Sequence, residues 1–379
     1  MPPSETGPNV LGLPEVEAID ISGEPSRLAA CALVACVPAQ NEEGWIARCL
    51  AALDAELWPG EGVLLLANGC TDATIAIARA VTAGWTRPFL LVDCRWRPGE
   101  GSAPLARRIT FDMAEALAPD ALILSIDGDT VVLPGLRAAY AAEFERGFDL
   151  VCGRIGFLPE EAALLPHADP GSEAVIRDYR ETTREIAALL RPDPDNPWPH
   201  HGNIGGANFA MRAAAYRIAG PLPILPSGED RALRRRFEAH GRRIRYCDGA
   251  RVETSCRLEG RAAGGLSEEL RRNRTQTDPL VDELLEPAET LLLRLRAEAA
   301  FLAAPLAEDR ARILTRLGLA AGEAARLAET VGGLGWHAAE EASPALRRTR
   351  LRLSDLRRLL PGLQAARDAI REARSGSPA

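Results

Sequence analysis

The chain has 379 residues, 46% hydrophobic and 26% charged, enough to bury a full core as one large α/β domain with a smaller appendage. Its 45 basic and 53 acidic residues leave a net charge of −8, which offers no basic footprint for nucleic acid. Every one of those 45 basic positions is arginine, which excludes a lysine Schiff base, a pyridoxal-phosphate anchor and a Walker-type phosphate loop.

Residues 1–27 lack periodicity and carry turn formers, so they are expected to form a mobile arm, and no charged stretch followed by an apolar run marks a signal peptide. Leu28 to Val37 is a run of small and branched apolar residues ending at Pro38, the pattern of a buried parallel strand that opens into a loop. Ile46, Leu50, Leu53 and Leu57 then fall at helical spacing, and Gly62 to Ala67 is a second buried strand, which completes a βαβ unit. Thr71 to Ala83 reads as a helix, Pro88 to Val92 as a strand, Ala103 to Leu117 as a helix and Ala121 to Ile126 as a strand that stops at Asp127. Such alternation predicts a doubly wound, mostly parallel sheet flanked by helices.

From Asp149 the pattern changes to short strands (Leu150 to Gly153, Ala207 to Met211, Arg243 to Tyr246) separated by long segments containing Pro and Gly, notably Arg191 to His201. Long segments of this kind in a compact domain are usually functional, and the acceptor side of an active site is expected here. The first domain is taken to span 28–265. Residues 266–379 carry no strand signal but strong helical patterns at Thr290 to Leu302, Ala307 to Leu317 and Ser354 to Ala373, a C-terminal helical appendage. Whether it packs on the first domain or forms a homodimer stays open. The eight cysteines include no Cys-x-x-Cys pair, no apolar stretch reaches the roughly 18 residues needed to cross a bilayer, and a cytoplasmic protein is expected.

The apolar strand that discharges into Asp127-Gly128-Asp129 carries the strongest chemical signal, because open α/β sheets bind ligands at the carboxyl ends of their strands. Two carboxylates separated by one glycine can face the same side and hold Mg²⁺ or Mn²⁺, hard cations that share their coordination with substrate phosphates. The bland alternative is a simple turn. Asn, Asp and Thr also cluster at the ends of the first two strands, in Val37-Pro38-Ala39-Gln40-Asn41-Glu42-Glu43 and Asn68-Gly69-Cys70-Thr71-Asp72-Ala73-Thr74. Such groups supply the donors and acceptors that a base and ribose require.

These segments resemble those of family 2 glycosyltransferases: the first is similar to their VPA-x-NEE opening, and the second to their DDGSTDGT loop. Gly101 to Arg108 resembles the family's G-x-x-x-ARN segment near the nucleotide phosphates, Gly205-Gly206-Ala207-Asn208 to Arg212 its GA-N-x-A-x-R strand, and Gly228-Glu229-Asp230 its ED motif. Thr254 to Gly265 resembles a segment, found after ED in some bacterial members, that contains GRAxGG. The resemblance covers about residues 31–265.

It implies a Rossmann-like GT-A fold and an inverting, single-displacement, metal-assisted transfer of a sugar from a nucleotide-sugar donor, UDP- or GDP-linked, to an acceptor hydroxyl. In that reading Pro38, Ala39, Gln40, Glu42, Asn68, Arg107, Arg108, Asp127, Gly206, Ala207 and Asn208 meet the nucleotide sugar. Asp127 and Asp129 hold the metal as an Asp-x-Asp motif, and Arg257 and Arg261 clamp the diphosphate. Asp230 is the preferred catalytic base; Glu229 as base with Asp230 supporting it, or an N-cap on the following helix, are the alternatives. Trp198, His200 and His201 are expected on the acceptor side, toward a small molecule or a glycolipid head. Two departures stand out: the carboxylate that usually meets the base falls at Asn68 or Ala67, and the metal-binding His of many GT-A enzymes is missing after the ED motif. A sugar-phosphate nucleotidyltransferase would need a lysine, and a catalytically inactive scaffold would be expected to lose Asp129 or Asp230.

Overall fold

The computed structural model describes residues 5–7, 13–165, 169–260 and 265–375. The chain opens with β1 (Glu5–Gly7), β2 (Val16–Ser22), β3 (Leu33–Ala39), α1 (Ile46–Glu56), β4 (Gly62–Asn68), α2 (Thr74–Thr82), β5 (Phe89–Trp96) and α3 (Ala103–Leu117). There follow β6 (Leu122–Ser125), β7 (Thr130–Val132), α4 (Leu136–Glu145), β8 (Leu150–Phe157), α5 (Pro159–Ala162), α6 (Pro170–Leu190), β9 (Phe209–Arg212), α7 (Ala213–Ala219), α8 (Glu229–Ala239) and β10 (Ile244–Thr254). The remainder is helical: α9 (Leu266–Thr275), α10 (Ala288–Ala303), α11 (Ala307–Arg316), α12 (Ala321–Ala328), α13 (Gly332–Ala342) and α14 (Leu353–Ser375).

Two compact units emerge. One comprises Met1–Leu165, Asn203–Glu238 and Arg242–Ser267, and the other Pro166–Gly202, Ala239–Gly241 and Glu268–Ala379. The first holds a ten-stranded sheet in the order β1-β2-β5-β4-β3-β6-β9-β8-β10-β7. Within it β5, β4, β3 and β6 are parallel, so the four strands run third, second, first, fourth in chain order, the expected Rossmann-like arrangement. β9 enters antiparallel beside β6. The chain order therefore reverses between β3 and β6, and the loops leaving those two strands are where open α/β sheets bind their ligands.

Both faces of the central strands are covered, which is why they read as unbroken apolar runs rather than as alternating ones. On one face Val34, Cys36, Leu64 and Leu66 pack with Ile109 and Phe111 of α3; on the other Leu33, Ala35, Val37 and Leu65 pack with Ile46, Leu50 and Leu53 of α1. Phe111 sits edge-on to Phe209 of β9, ring centroids 5.8 Å apart, and so ties α3 to the antiparallel half.

The arm expected over residues 1–27 is in part a sheet edge. Val16–Ser22 pairs antiparallel with β5, and Val16 and Ile19 are each 1% exposed. A register shift between Val16 and Ala18 breaks the two-residue alternation, so the strand has no periodic signature in sequence. The strands expected at Pro88, Leu150 and Arg243 run on to Trp96, Phe157 and Thr254, and β7 is added beside β10.

In the second unit, helices stand where patterns predicted them in α10, α11 and α14. The unit also takes in α6, a helix of 21 residues where long irregular segments were expected. Asp169 caps α6 by accepting from the Ser172 amide at 2.9 Å. One apolar cluster gathers Phe301, Leu314, Leu327 and Trp336, another Tyr179, Ile186, Leu291, Leu295 and Leu356. The buried Arg294 guanidinium is paired with Glu286 at 2.8 Å and also meets Glu340. No helix among the described residues is long and apolar enough to cross a membrane.

Candidate functional site

The loops after β3 and β4 are laced together. Asn41 adopts φ 55°, a left-handed conformation that Asn tolerates, and its Oδ1 accepts from the Thr71 amide at 2.8 Å. The Glu43 amide donates to Asp72 Oδ2 at 3.1 Å, while the Ala73 amide donates to Glu43 Oε2 at 3.0 Å. Asp72 Oδ1 takes the Thr74 amide at 2.9 Å, and Thr74 Oγ1 accepts from the Glu42 amide at 2.6 Å. Two carboxylates thus serve the first turn of α2 and fasten the two loops together at the same time. Asn68, at the end of β4, is buried and accepts from Trp96 Nε1 at 2.6 Å.

Gly128 lets the Asp127–Asp129 turn lie against the first loop: a Cβ there would stand 2.8 Å from Ala39 Cβ and 3.1 Å from Glu42 Cγ. The Asp127 side chain stays 34% exposed, whereas Asp129 is drawn inward to 14%. Arg107, from the first turns of α3, reaches Asp127 Oδ1 with Nη2 at 2.8 Å, and its Nη1 donates to the Gly206 carbonyl at 2.9 Å and to Ser125 Oγ at 3.0 Å. Its Nε lies 3.5 Å from Glu229 Oε1, at the start of α8. Burial opposes the charge on Arg107, yet Asp127, Glu229 and Asp230 together raise its pKa. A Cβ on Gly206 would fall 2.4 Å from this guanidinium, so only glycine permits the approach.

Arg257 closes the opposite side. Its Nη1 and Nη2 donate to both oxygens of Glu42 at 2.9 and 2.8 Å, Nη2 lies 3.0 Å from Asp129 Oδ2, and its guanidinium stands 4.8 Å from the Trp45 ring centroid. The segment carrying Arg257 is pinned by Glu161 of α5, which accepts from Ser255 Oγ at 2.6 Å, the Cys256 amide at 2.9 Å and Trp45 Nε1 at 2.6 Å. Burial, with Asp127 and Glu42 adding to it, pushes the Asp129 carboxyl up against the pull of Arg257.

Asp230 completes the set. Its Oδ1 accepts from the Arg231 amide at 2.6 Å, and a Cβ on Gly205 would lie 4.0 Å from Oδ2. Burial first, then the neighbouring Glu229, pushes its carboxyl up to about 6.

Contacts between strand-end loops and helix starts therefore gather Glu42, Arg107, Asp127, Asp129, Glu229, Asp230 and Arg257 from positions more than 200 residues apart in sequence. Other expected residues make other contacts. Arg108 turns along α3 to Asp112 at 3.3 Å. Asn208, expected against the nucleotide sugar, is fully buried: its Oδ1 accepts from Tyr140 Oη at 2.6 Å and its Nδ2 donates to the Arg154 and Ala250 carbonyls at 2.8 and 3.0 Å. Both amide donors are engaged, so Asn208 staples β9 to its neighbours instead. Trp198, His200 and His201 belong to the second unit, where the Trp198 and His200 rings meet edge-on at 5.7 Å. Arg261 lies outside the described residues. Trp45, Trp96, Ser125 and Glu161 were not anticipated, because each acts through a distant partner and sits in no local motif.

The Asp-x-Asp pair was expected to hold Mg²⁺ or Mn²⁺. Asp129 Oδ1 instead accepts from Thr254 Oγ1 at 3.1 Å and Oδ2 faces Arg257, while Asp127 Oδ1 and both oxygens of Glu42 also meet guanidiniums. Among the described residues no group of three His, Cys, Asp or Glu side chains could hold a metal ion. As arranged, the donor set does not fit a resident divalent cation.

No protein-family profile and no curated protein matches the chain. Solved structures similar to it include S. aureus TarS, fragment 1–349, in complex with UDP-GlcNAc, at 18% identity over 91% of this chain and 92% of that one, TM-score 0.44. Another is the mannosyltransferase PcManGT from Pyrobaculum calidifontis in complex with GDP-Man and Mn²⁺, at 16% identity over 94% and 84% of the two chains, TM-score 0.46. Glucosyl-3-phosphoglycerate synthase from Mycobacterium tuberculosis in complex with phosphoglyceric acid is 17% identical over 72% and 82%, TM-score 0.40. At such identities the likeness is one of fold.

Proposed function

We propose that the chain transfers a sugar from a nucleotide-sugar donor, UDP- or GDP-linked, to an acceptor hydroxyl, with inversion. The observation that carries this reading is the Arg107 guanidinium lying between Asp127, at the end of β6, and Glu229, next to Asp230. A permanent cation beside a carboxylate of raised pKa, at the switch point of a parallel sheet, suits a reaction that makes a diphosphate leaving group and releases a proton.

In this reading Asp230 takes the proton of the acceptor hydroxyl as its oxygen bonds to the anomeric carbon. The bond from that carbon to the donor phosphate oxygen breaks, and its electron pair leaves with the diphosphate. Attack on the face opposite the leaving group inverts the anomeric centre. A carboxyl near 6 is ionised at neutral pH yet basic enough to accept the proton as it develops. Arg107 offsets charge on the departing diphosphate, and Glu42 with Asp127 orients the guanidiniums. A divalent cation would supply further charge neutralisation, but the donor set described above does not fit one, and no step depends on it.

The test is release of free nucleotide from a panel of UDP- and GDP-sugars, with simple sugars and glycolipid heads as acceptors, followed by mass spectrometry of the acceptor. A mass gain of one sugar with any pair is expected. Donor binding with no transfer to any acceptor, and no donor hydrolysis, would leave a nucleotide-sugar-binding protein in its place.

A further inference from the structure

Arg257 lies three residues beyond the end of β10, between carboxylates carried by two other strand ends. Its two terminal nitrogens hold Glu42 in a bidentate pair, one of them also reaches Asp129, and the Trp45 ring stands beside the guanidinium plane. One positive centre that joins Glu42 to Asp129, with Asp127 two residues away, is the charge arrangement a divalent ion would make. Here the chain supplies it covalently, and permanently, since arginine does not deprotonate in proteins.

Resting on the glycosyltransferase reading, we infer that Arg257 takes the place of a divalent cation in this site, so that the donor diphosphate binds without metal. Asp127 and Asp129 then act as positioning residues for two guanidiniums, Arg107 and Arg257, rather than as metal ligands. Two further observations support this. The Nε–H of Arg257 is buried without a hydrogen-bond partner, a state whose cost is relieved when an acceptor oxygen reaches it. In addition, the segment bearing Arg257 is fastened through Ser255 and Cys256 to Glu161, which also holds Trp45, so the guanidinium is set in place before any ligand arrives.

The experiment uses UDP and GDP as probes on the full chain, by thermal shift and titration calorimetry, in EDTA and again with Mn²⁺ or Mg²⁺. One nucleotide is expected to stabilise the wild type in EDTA, with no further gain from either metal. Arg257→Ala is expected to weaken that binding about tenfold or more, the loss typical of a charge-assisted pair. Because it removes the guanidinium that faces Glu42 and Asp129, the variant is also expected to acquire a Mn²⁺-dependent thermal shift that the wild type lacks; a variant that loses nucleotide affinity but gains no Mn²⁺ response would overturn the substitution of one cation for the other. Wild-type stabilisation that requires metal would overturn the inference while leaving the transferase reading intact, and the wild-type comparison decides this even if the variant does not fold. No stabilisation by either nucleotide, with or without metal, would overturn both.

Discussion

Asp230 lies in the first turn of α8 beside Glu229, and its carboxyl is pushed up to about 6, a property that a helix cap alone would not need. If it is the base, turnover should fall as pH drops below about 6, and Asp230→Asn should lower kcat by roughly 10²–10⁴-fold while leaving donor affinity almost unchanged. Steady-state rates beside donor titrations check this, and normal turnover in the variant would move the base to Glu229. The same group leaves a mark on stability. Its folded pKa lies above the unfolded value of 3.8, so the folded chain holds the proton more tightly, and the group's contribution to stability falls as pH rises from about 4 to about 6 and stays lost above that. Asp230→Asn removes the effect; its melting temperature should exceed that of the wild type at about pH 8 and match it near pH 4. Equal differences at both pH values would contradict the assignment of this carboxyl.

At the scale of elements, the site depends on loops that cap helices and on glycines that admit arginines. Asp72→Ala removes an acceptor from the first turn of α2 and from the Glu43 amide, and should cost about 1 kcal/mol in denaturant unfolding. Gly206→Ala places a methyl into the Arg107 guanidinium and should destabilise the chain by about 1–3 kcal/mol and abolish donor binding, since Arg107 cannot stay on Asp127. Retained binding would show that Arg107 does not position the donor. The elements legible in sequence were those with one strong physical signature: β3, β4 and β6 as buried parallel strands, and α10, α11 and α14 as amphipathic helices. β2 was hidden by its register shift, and α6 by the Pro and Gly at its first two positions and a face rich in Arg and Glu. Asp127, Asp129, Glu229, Asp230 and Arg107 were legible because they sit at strand ends or helix starts. The Glu42–Arg257 pair joins two known segments 215 residues apart, and no local pattern announces that they meet.

On the scale of the whole molecule, the two units have separate apolar cores, and the site groups gathered by Arg107 and Arg257 all belong to the sheet-bearing unit. A chain without lysine and of net charge −8 fits a protein that recognises an anion through a few fixed guanidiniums rather than through a basic surface. What lies in sequence order as seven scattered charged residues becomes one site because the sheet reverses its order between β3 and β6. The central claim is that this site binds a nucleotide sugar, and titration calorimetry of the wild-type chain with UDP- and GDP-sugars tests it most directly. The account predicts saturable, one-to-one binding of at least one of them, with heat that diminishes as salt screens the arginines. An absence of binding by every UDP- and GDP-sugar, with and without divalent metal, would contradict it.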